Sequence, residues 1–171
     1  MTHGEVIILG LLCTRDRYGY EMEKHIEENY MREWTQIGFS SIYNILNKLT
    51  EKELIGYRYA DRSGGPQRKV YYILEKGREA VKDEVLKMLS VPTMPKSDLD
   101  VGIVFSILLD KDAVRDSLIR HREKLNDTIA WYEKLLVMRY KDKPTVVLLF
   151  KRAIMQMHTD IRWIDEIMKE G

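Results

Sequence analysis

The feature that most constrains this chain is a change of period near residue 56. Ile42, Ile45, Leu46 and Leu49 recur at i, i+3, i+4 and i+7, the stripe of a half-buried helix. Ser40 is a better start for it than Phe39, because a hydroxyl accepts from a free helix N–H, and Leu54, Ile55 and Gly56 are expected to close it. Immediately afterwards Tyr57, Tyr59, Val70, Tyr71, Tyr72 and Ile73 are aromatic or β-branched, and Gly64-Gly65-Pro66 between them is turn chemistry. A helix must therefore hand over to a β-hairpin with a long polar tip.

Two helices precede that unit. Val6, Ile7, Leu9, Gly10 and Cys13 suit a short buried helix, Tyr18-Gly19-Tyr20 interrupts it, and Tyr20, Met22, His25, Ile26 and Tyr30 read as a second. Another helix runs from Glu75 to about Leu89, and the two prolines of Val91-Pro92-Thr93-Met94-Pro95 then divide the chain. Ser97 with Asp100 resembles a capping box for the next helix. The remainder reads as helix: an apolar segment Leu99–Leu109, a long helix capped by Asp110 or Asp112 and reaching about Arg139, a break at Asp142 and Pro144, and a last helix. The expected fold is mainly α with a small β-hairpin wing. A winged helix-turn-helix occupies 1–91, and an α-helical dimerisation domain occupies 92–171.

Charge narrows the function. Lys plus Arg is 28 and Asp plus Glu is 27, a formal charge of +1, so any grip on a polyanion must be local. From Arg58 to Lys69, Arg58, Arg62, Arg68 and Lys69 face Asp61 alone, a net +3. The single cysteine, Cys13, excludes an internal disulfide and any multi-cysteine metal site. No apolar run is long enough to suggest a spanning helix, so a cytoplasmic protein without a membrane partner is expected. Catalysis finds little support, and no cofactor or metal is expected. His3, His25, His121 and His158 lie in separate segments without metal-ligand spacing.

Helix-then-hairpin is an order that suits double-stranded DNA, since a helix fits the major groove and a basic tip reaches phosphates or the minor groove. Off the apolar stripe, the helix offers Ser40, Ser41, Tyr43, Asn44, Asn47 and Lys48. Asn pairs with adenine, Ser with phosphate or base, and Lys neutralises phosphate. A charged hairpin tip is also a common solvated turn, and winged domains also dock proteins, so a protein-interaction module is the alternative.

A family resemblance bears on this choice. Ile8-Leu9-Gly10-Leu11-Leu12, Tyr18-Gly19-Tyr20-Glu21-Met22, Ser41-Ile42-Tyr43-Asn44-Ile45-Leu46-Asn47-Lys48-Leu49, Gly65-Pro66-Gln67-Arg68-Lys69-Val70-Tyr71-Tyr72 and Glu75-Lys76-Gly77 follow in the order of the PadR family of transcriptional regulators. The resemblance covers about residues 5–90, and the remainder resembles the longer C-terminal helical region of one PadR subfamily. It implies a dimeric DNA-binding regulator, usually a repressor, with Tyr18, Ser40, Ser41, Tyr43, Arg68 and Lys69 at the DNA face. Three positions depart from the family pattern: Asn44 stands for a proline, Glu53 for a glycine and Leu74 for a capping threonine. At residue 53, either the helix exit differs or a side chain is tolerated there.

Two copies on a two-fold axis would read a palindrome. Phe150, Ile154, Met157, Ile161, Ile164 and Met168 form a heptad seam, and with Leu118, Leu125 and Ile129 of the long helix they are the expected dimer elements, unless the two helices simply pack on each other. A small-molecule effector would find aromatic or Met surface at Trp131, Tyr132 and Trp163, with Met155, Met157 and Met168. Aromatics at helical spacing are more often core.

Overall fold

The structure is a computed structural model that describes the chain except residues 36, 38–40, 61–66, 94–95 and 171 and the side chains of Ser41 and Glu170. Its backbone falls into two compact units, Met1–Met94 and Pro95–Gly171.

In the first unit, helix α1 (His3–Thr14) leads through strand β1 (Arg17–Tyr18) to helix α2 (Gly19–Glu28) and a 3-10 turn (Met31–Glu33). Helix α3 (Ser41–Glu51), strands β2 (Ile55–Ala60) and β3 (Arg68–Ile73) and helix α4 (Glu75–Ser90) complete it. Thr2 caps α1 in a box with Glu5. Its hydroxyl accepts from the Glu5 N–H at 3.3 Å, and its own N–H donates to the Glu5 carboxylate at 2.8 Å. The expected stripe is the core: Ile42, Leu46 and Leu49 are fully enclosed with Ile8, Leu9, Met22 and Ile26. The far end of α1 is closed by a buried cation. Arg17 donates to the Leu11 carbonyl (3.4 Å) and the Thr14 hydroxyl (3.1 Å), at the negative end of the helix dipole.

Three details differ from the sequence reading. The hairpin is part of a three-stranded antiparallel sheet, β1-β3-β2, in which Tyr18 pairs with Val70 and Tyr57 with Tyr71. Two residues show no alternation, so β1 leaves no periodic signal; Tyr18-Gly19-Tyr20 is the strand-to-helix corner rather than a simple interruption. Gly56 does not end α3 but lies in β2, opposite Tyr72. The turn is made earlier, by Glu53, whose φ of 55° is left-handed. The chain thus keeps the exit geometry that glycine favours and tolerates a side chain there. Leu74 sits at the N-cap of α4 without a side-chain hydrogen bond, although its backbone N–H donates to the Leu54 carbonyl at 3.0 Å. The expected Ser40 cap lies outside the described residues.

The second unit holds helix α5 (Asp98–Val104), a 3-10 turn (Ser106–Leu108), helix α6 (Lys111–Leu135) and helix α7 (Pro144–Glu170). Ser97 and Asp100 form the expected capping box, and Asp110, not Asp112, caps α6 by accepting from the Ala113 N–H at 2.8 Å. The long helix stops being α-helical four residues before Arg139. Leu136–Tyr140 turns more widely, as a π-helical segment, and Tyr140 is enclosed and stacks on Phe150 at 5.5 Å. Helices α6 and α7 pack on each other, joined by Arg122 to Asp165 at 2.7 Å.

Candidate nucleic-acid interface

Helix α3 turns one face to the core and the other outward, because its apolar residues follow a single stripe. Asn44, Asn47 and Lys48 are exposed on the outer face, and Tyr43 is 55% exposed. The Tyr43 ring lies over Gly19, the first residue of α2. A Cβ at Gly19 would stand 2.8 Å from that ring, so only glycine allows the approach. Tyr18 and Tyr20 stack at 5.4 Å, and the Arg68 guanidinium lies 5.2 Å from the centre of the Tyr20 ring. These residues with Lys69 and Tyr71 line an open cleft of about 640 Å³. The α2 corner, the outer face of α3 and the start of β3 therefore meet at one place.

The electrostatics favour an anion there. Among the described residues no carboxylate forms an ion pair with Arg68 or Lys69, whereas Arg58 of the wing is taken by Asp16 at 2.7 Å. Lys69 instead lies over the Tyr57 ring at 3.9 Å. Lys52, at the end of α3, is not part of this surface: it donates to the nearly buried Glu5 carboxylate at 2.6 Å. Burial alone would raise the Glu5 pKa, but the bonds from Lys52 and the Thr2 backbone outweigh it and hold the carboxyl below its ordinary value.

Of the expected DNA-facing residues, Tyr18, Tyr43, Arg68 and Lys69 converge on the cleft, and Asn44, Asn47 and Lys48 continue the outer face of α3. Ser40 and Arg62 lie outside the described residues, and Ser41 is placed only as the first residue of α3. Tyr20 was expected only as a residue of the second helix, not at the DNA face. It is 46% exposed and belongs to the cleft. Its place in the Tyr-Gly-Tyr corner was the available signal.

The expected dimer residues fall into two groups. Ile129, Phe150 and Ile164 are enclosed within one chain, because α6 and α7 use the middle of the seam on each other. Leu118, Leu125, Ile154, Met157, Ile161 and Met168 are half-buried. More exposed are Val104 at 68%, Ile107 at 86% and Leu108 at 77%, and on α7 itself Leu148 and Met155. Of the aromatic ligand candidates, Tyr132 is packed edge-on against Phe150 at 4.7 Å, Trp163 is half-buried and Trp131 is exposed. A cleft of about 740 Å³ in this unit is lined instead by residues such as Ile103, Ile107, Val114 and Met168.

Comparison with known proteins decides the family. The profile of the "Transcriptional regulator PadR-like family" matches residues 8–83, a span that contains the whole interface just described. The chain belongs to the PadR-like family. It is 27% identical over 133 residues to the negative transcriptional regulator PadR of Bacillus subtilis, covering 75% of this chain and 72% of that one. It is 35% identical over 89 residues to an uncharacterised protein of Lysinibacillus sphaericus, covering 52% and 81%. Crystal structures of Bacillus subtilis PadR with operator DNA and with p-coumaric acid share its fold, each with a TM-score of 0.73 at 23% identity. They cover 97% of this chain, and 97% and 96% of theirs. This PadR-like chain is thus a transcriptional regulator among transcriptional regulators. Among its described residues, no helix is long and apolar enough to cross a membrane.

Proposed function

We propose that this PadR-like protein is a cytoplasmic homodimeric repressor that binds a palindromic operator. Helix α3 enters the major groove, with Asn44 and Asn47 at base edges and Lys48 at phosphate, while the β2–β3 wing holds the flanking backbone or minor groove. The observation that carries this reading is the convergence of Tyr43 from α3 and Arg68 from β3 on one cleft, so that helix and wing present to the same side. The negative regulator of Bacillus subtilis, whose operator complex has this fold, supports it. The C-terminal helices join the two copies through the exposed apolar residues of α5 and the turn after it, with the half-buried seam residues adjoining.

An effector would shift the dimer between binding-competent and incompetent forms. Bacillus subtilis PadR binds p-coumaric acid, so a phenolic acid is the first probe. Saturable quenching of Trp131 or Trp163 fluorescence is expected, and none up to millimolar acid removes this class.

Tyr43→Ala with Arg68→Ala tests the DNA reading. Binding to a duplex selected with the full-length protein should weaken while the dimer survives, and loss of Arg68 from both subunits should lower the log–log salt slope by about 2. Unchanged affinity and slope would favour the protein-interaction module.

A further inference from the structure

Tyr20 is an exposed aromatic ring at the first turn of α2, where the fold does not need it buried. Its ring stacks with Tyr18 and has the Arg68 guanidinium 5.2 Å from its centre. Arg68 is the first residue of β3, next to the wing tip, and a free arginine there would sample many rotamers. Stacking uses the face of a guanidinium and leaves its N–H edge available for a planar, forked bond to a phosphate. No described carboxylate competes for that edge.

The neighbouring groove sharpens the argument. Tyr20 and Tyr43 also border a second concavity, of about 410 Å³, whose other residues include Glu23, Glu27 and Glu28. Glu23 and Glu27 are ion-paired to Arg32, and the charged groups lining that side are these two carboxylates, Glu28 and Lys24, itself 3.8 Å from Glu28. The Tyr20 ring thus stands on the boundary between an anion-attracting cleft and an anion-repelling groove.

We propose that Tyr20 is a positioning residue that holds Arg68 over the cleft between α2, α3 and β3, and that this cleft seats one backbone phosphate of the duplex per protomer. The inference rests on the DNA-binding reading and adds to it a residue and a chemical group. Tyr20 touches the DNA only through the guanidinium it orders, and the acidic groove beyond it fixes the side on which the backbone passes.

The test is fluorescence anisotropy of the full-length protein on a labelled selected duplex over a salt series. Tyr20→Phe keeps the ring and should bind as the parent does. Tyr20→Leu should weaken binding roughly five- to tenfold and lower the salt slope by up to about 2 for the dimer. Arg68→Lys keeps the charge but not the planar stack, and should lose a similar factor. Combining it with Tyr20→Leu should add nothing further. Additive losses, or a Tyr20→Leu slope equal to the parent's, overturn the proposal. Should Tyr20→Leu melt early, Arg68→Lys decides alone, and parental affinity there overturns it. Replacing phosphates one at a time by uncharged methylphosphonate should reveal one position per half-site at which parent and Arg68→Lys become equal; no such position overturns the phosphate seat. A parent protein that binds no duplex at all overturns the DNA reading itself, a result distinct from any of these.

Discussion

The two units solve the problem of burial differently. The first encloses a continuous core: Ile8, Leu9, Leu12, Met22, Ile26, Ile42, Leu46 and Leu49 are at 2% exposure or less. Of its exposed tyrosines, Tyr20 and Tyr43 line the cleft. The second encloses only Ile129, Leu135, Tyr140, Phe150 and Ile164 among its described residues, and leaves Val104, Ile107, Leu108, Val137, Met138, Leu148 and Met155 more than two-thirds exposed. The contrast lies in the cores: the first unit closes one within a single copy, although Leu86 and Leu89 at the end of α4 stay exposed, while the second encloses few apolar residues.

The largest expected effect comes from attacking the dimer interface proposed for the second unit. Val104→Glu with Ile107→Glu places two charges per chain where a second copy would sit. In sedimentation the protein should fall from twice 20.3 kDa to 20.3 kDa. Operator affinity should fall by more than about 100-fold, because two linked half-sites gain from effective concentration what a single one lacks. Melting of the first unit should not move. A variant that remains dimeric breaks the contrast, because the exposed strip would then have another purpose.

The opposite attack aims at the self-contained core. A Cβ at Gly77 would run into the Leu54 carbonyl, and this obstacle is backbone rather than a mobile side chain. Gly77→Ala should therefore cost about 1–3 kcal/mol, as overpacked cores do. It should show as an earlier thermal transition with the dimer mass unchanged. If the dimer dissociates instead, the two units are not independent in stability.

The same contrast explains what was legible in the residues alone. Elements held by their own periodicity were readable: the α3 stripe, the hairpin signalled by Gly64-Gly65-Pro66, and the caps at Ser97 and Asp110. What escaped depends on contacts distant in sequence. Two-residue β1 exists because Tyr18 pairs with Val70, and Tyr20 joins the cleft through Arg68, a residue far away in sequence. The heptad seam was open for a related reason: period says that a face is apolar but not which helix will cover it. Here α6 and α7 pack on each other with Phe150 and Ile164 enclosed, while Val104, Ile107 and Leu108 stay exposed.

A smaller effect separates the units by pH. Glu5 links the start of α1 to Lys52 at the end of α3, and its pKa is lowered on folding by the Lys52 and Thr2 bonds despite burial. A depressed carboxyl stabilises the fold above its unfolded value near 4.5 and loses that contribution as pH falls through the folded one. Acid should therefore weaken the first unit below about pH 4.5, and Glu5→Gln, at a cost of about 1–2 kcal/mol at neutral pH, should flatten that part of the curve. Equal acid sensitivity in parent and Glu5→Gln would assign the loss to other carboxylates.

The smallest prediction runs in the stabilising direction. Tyr30 and Glu53 are the non-glycine residues at positive φ among those described, and both belong to the first unit, so backbone strain sits with the tight core. A left-handed L-residue costs about 1–2 kcal/mol, part of which glycine returns as lost chain entropy. Glu53→Gly should therefore stabilise by roughly 0.5–1 kcal/mol and raise Tm by a few degrees. The ion pair it removes, Lys76 to Glu53 at 3.7 Å, joins two exposed side chains and contributes little. Lys76 also keeps its bond to the Lys52 carbonyl at 3.1 Å, which does not depend on residue 53. Because the turn shape is preserved, α3 and the wing keep their places and duplex affinity should not change. A destabilised Glu53→Gly would mean that the carboxylate, rather than the turn it occupies, secures the handover from recognition helix to wing.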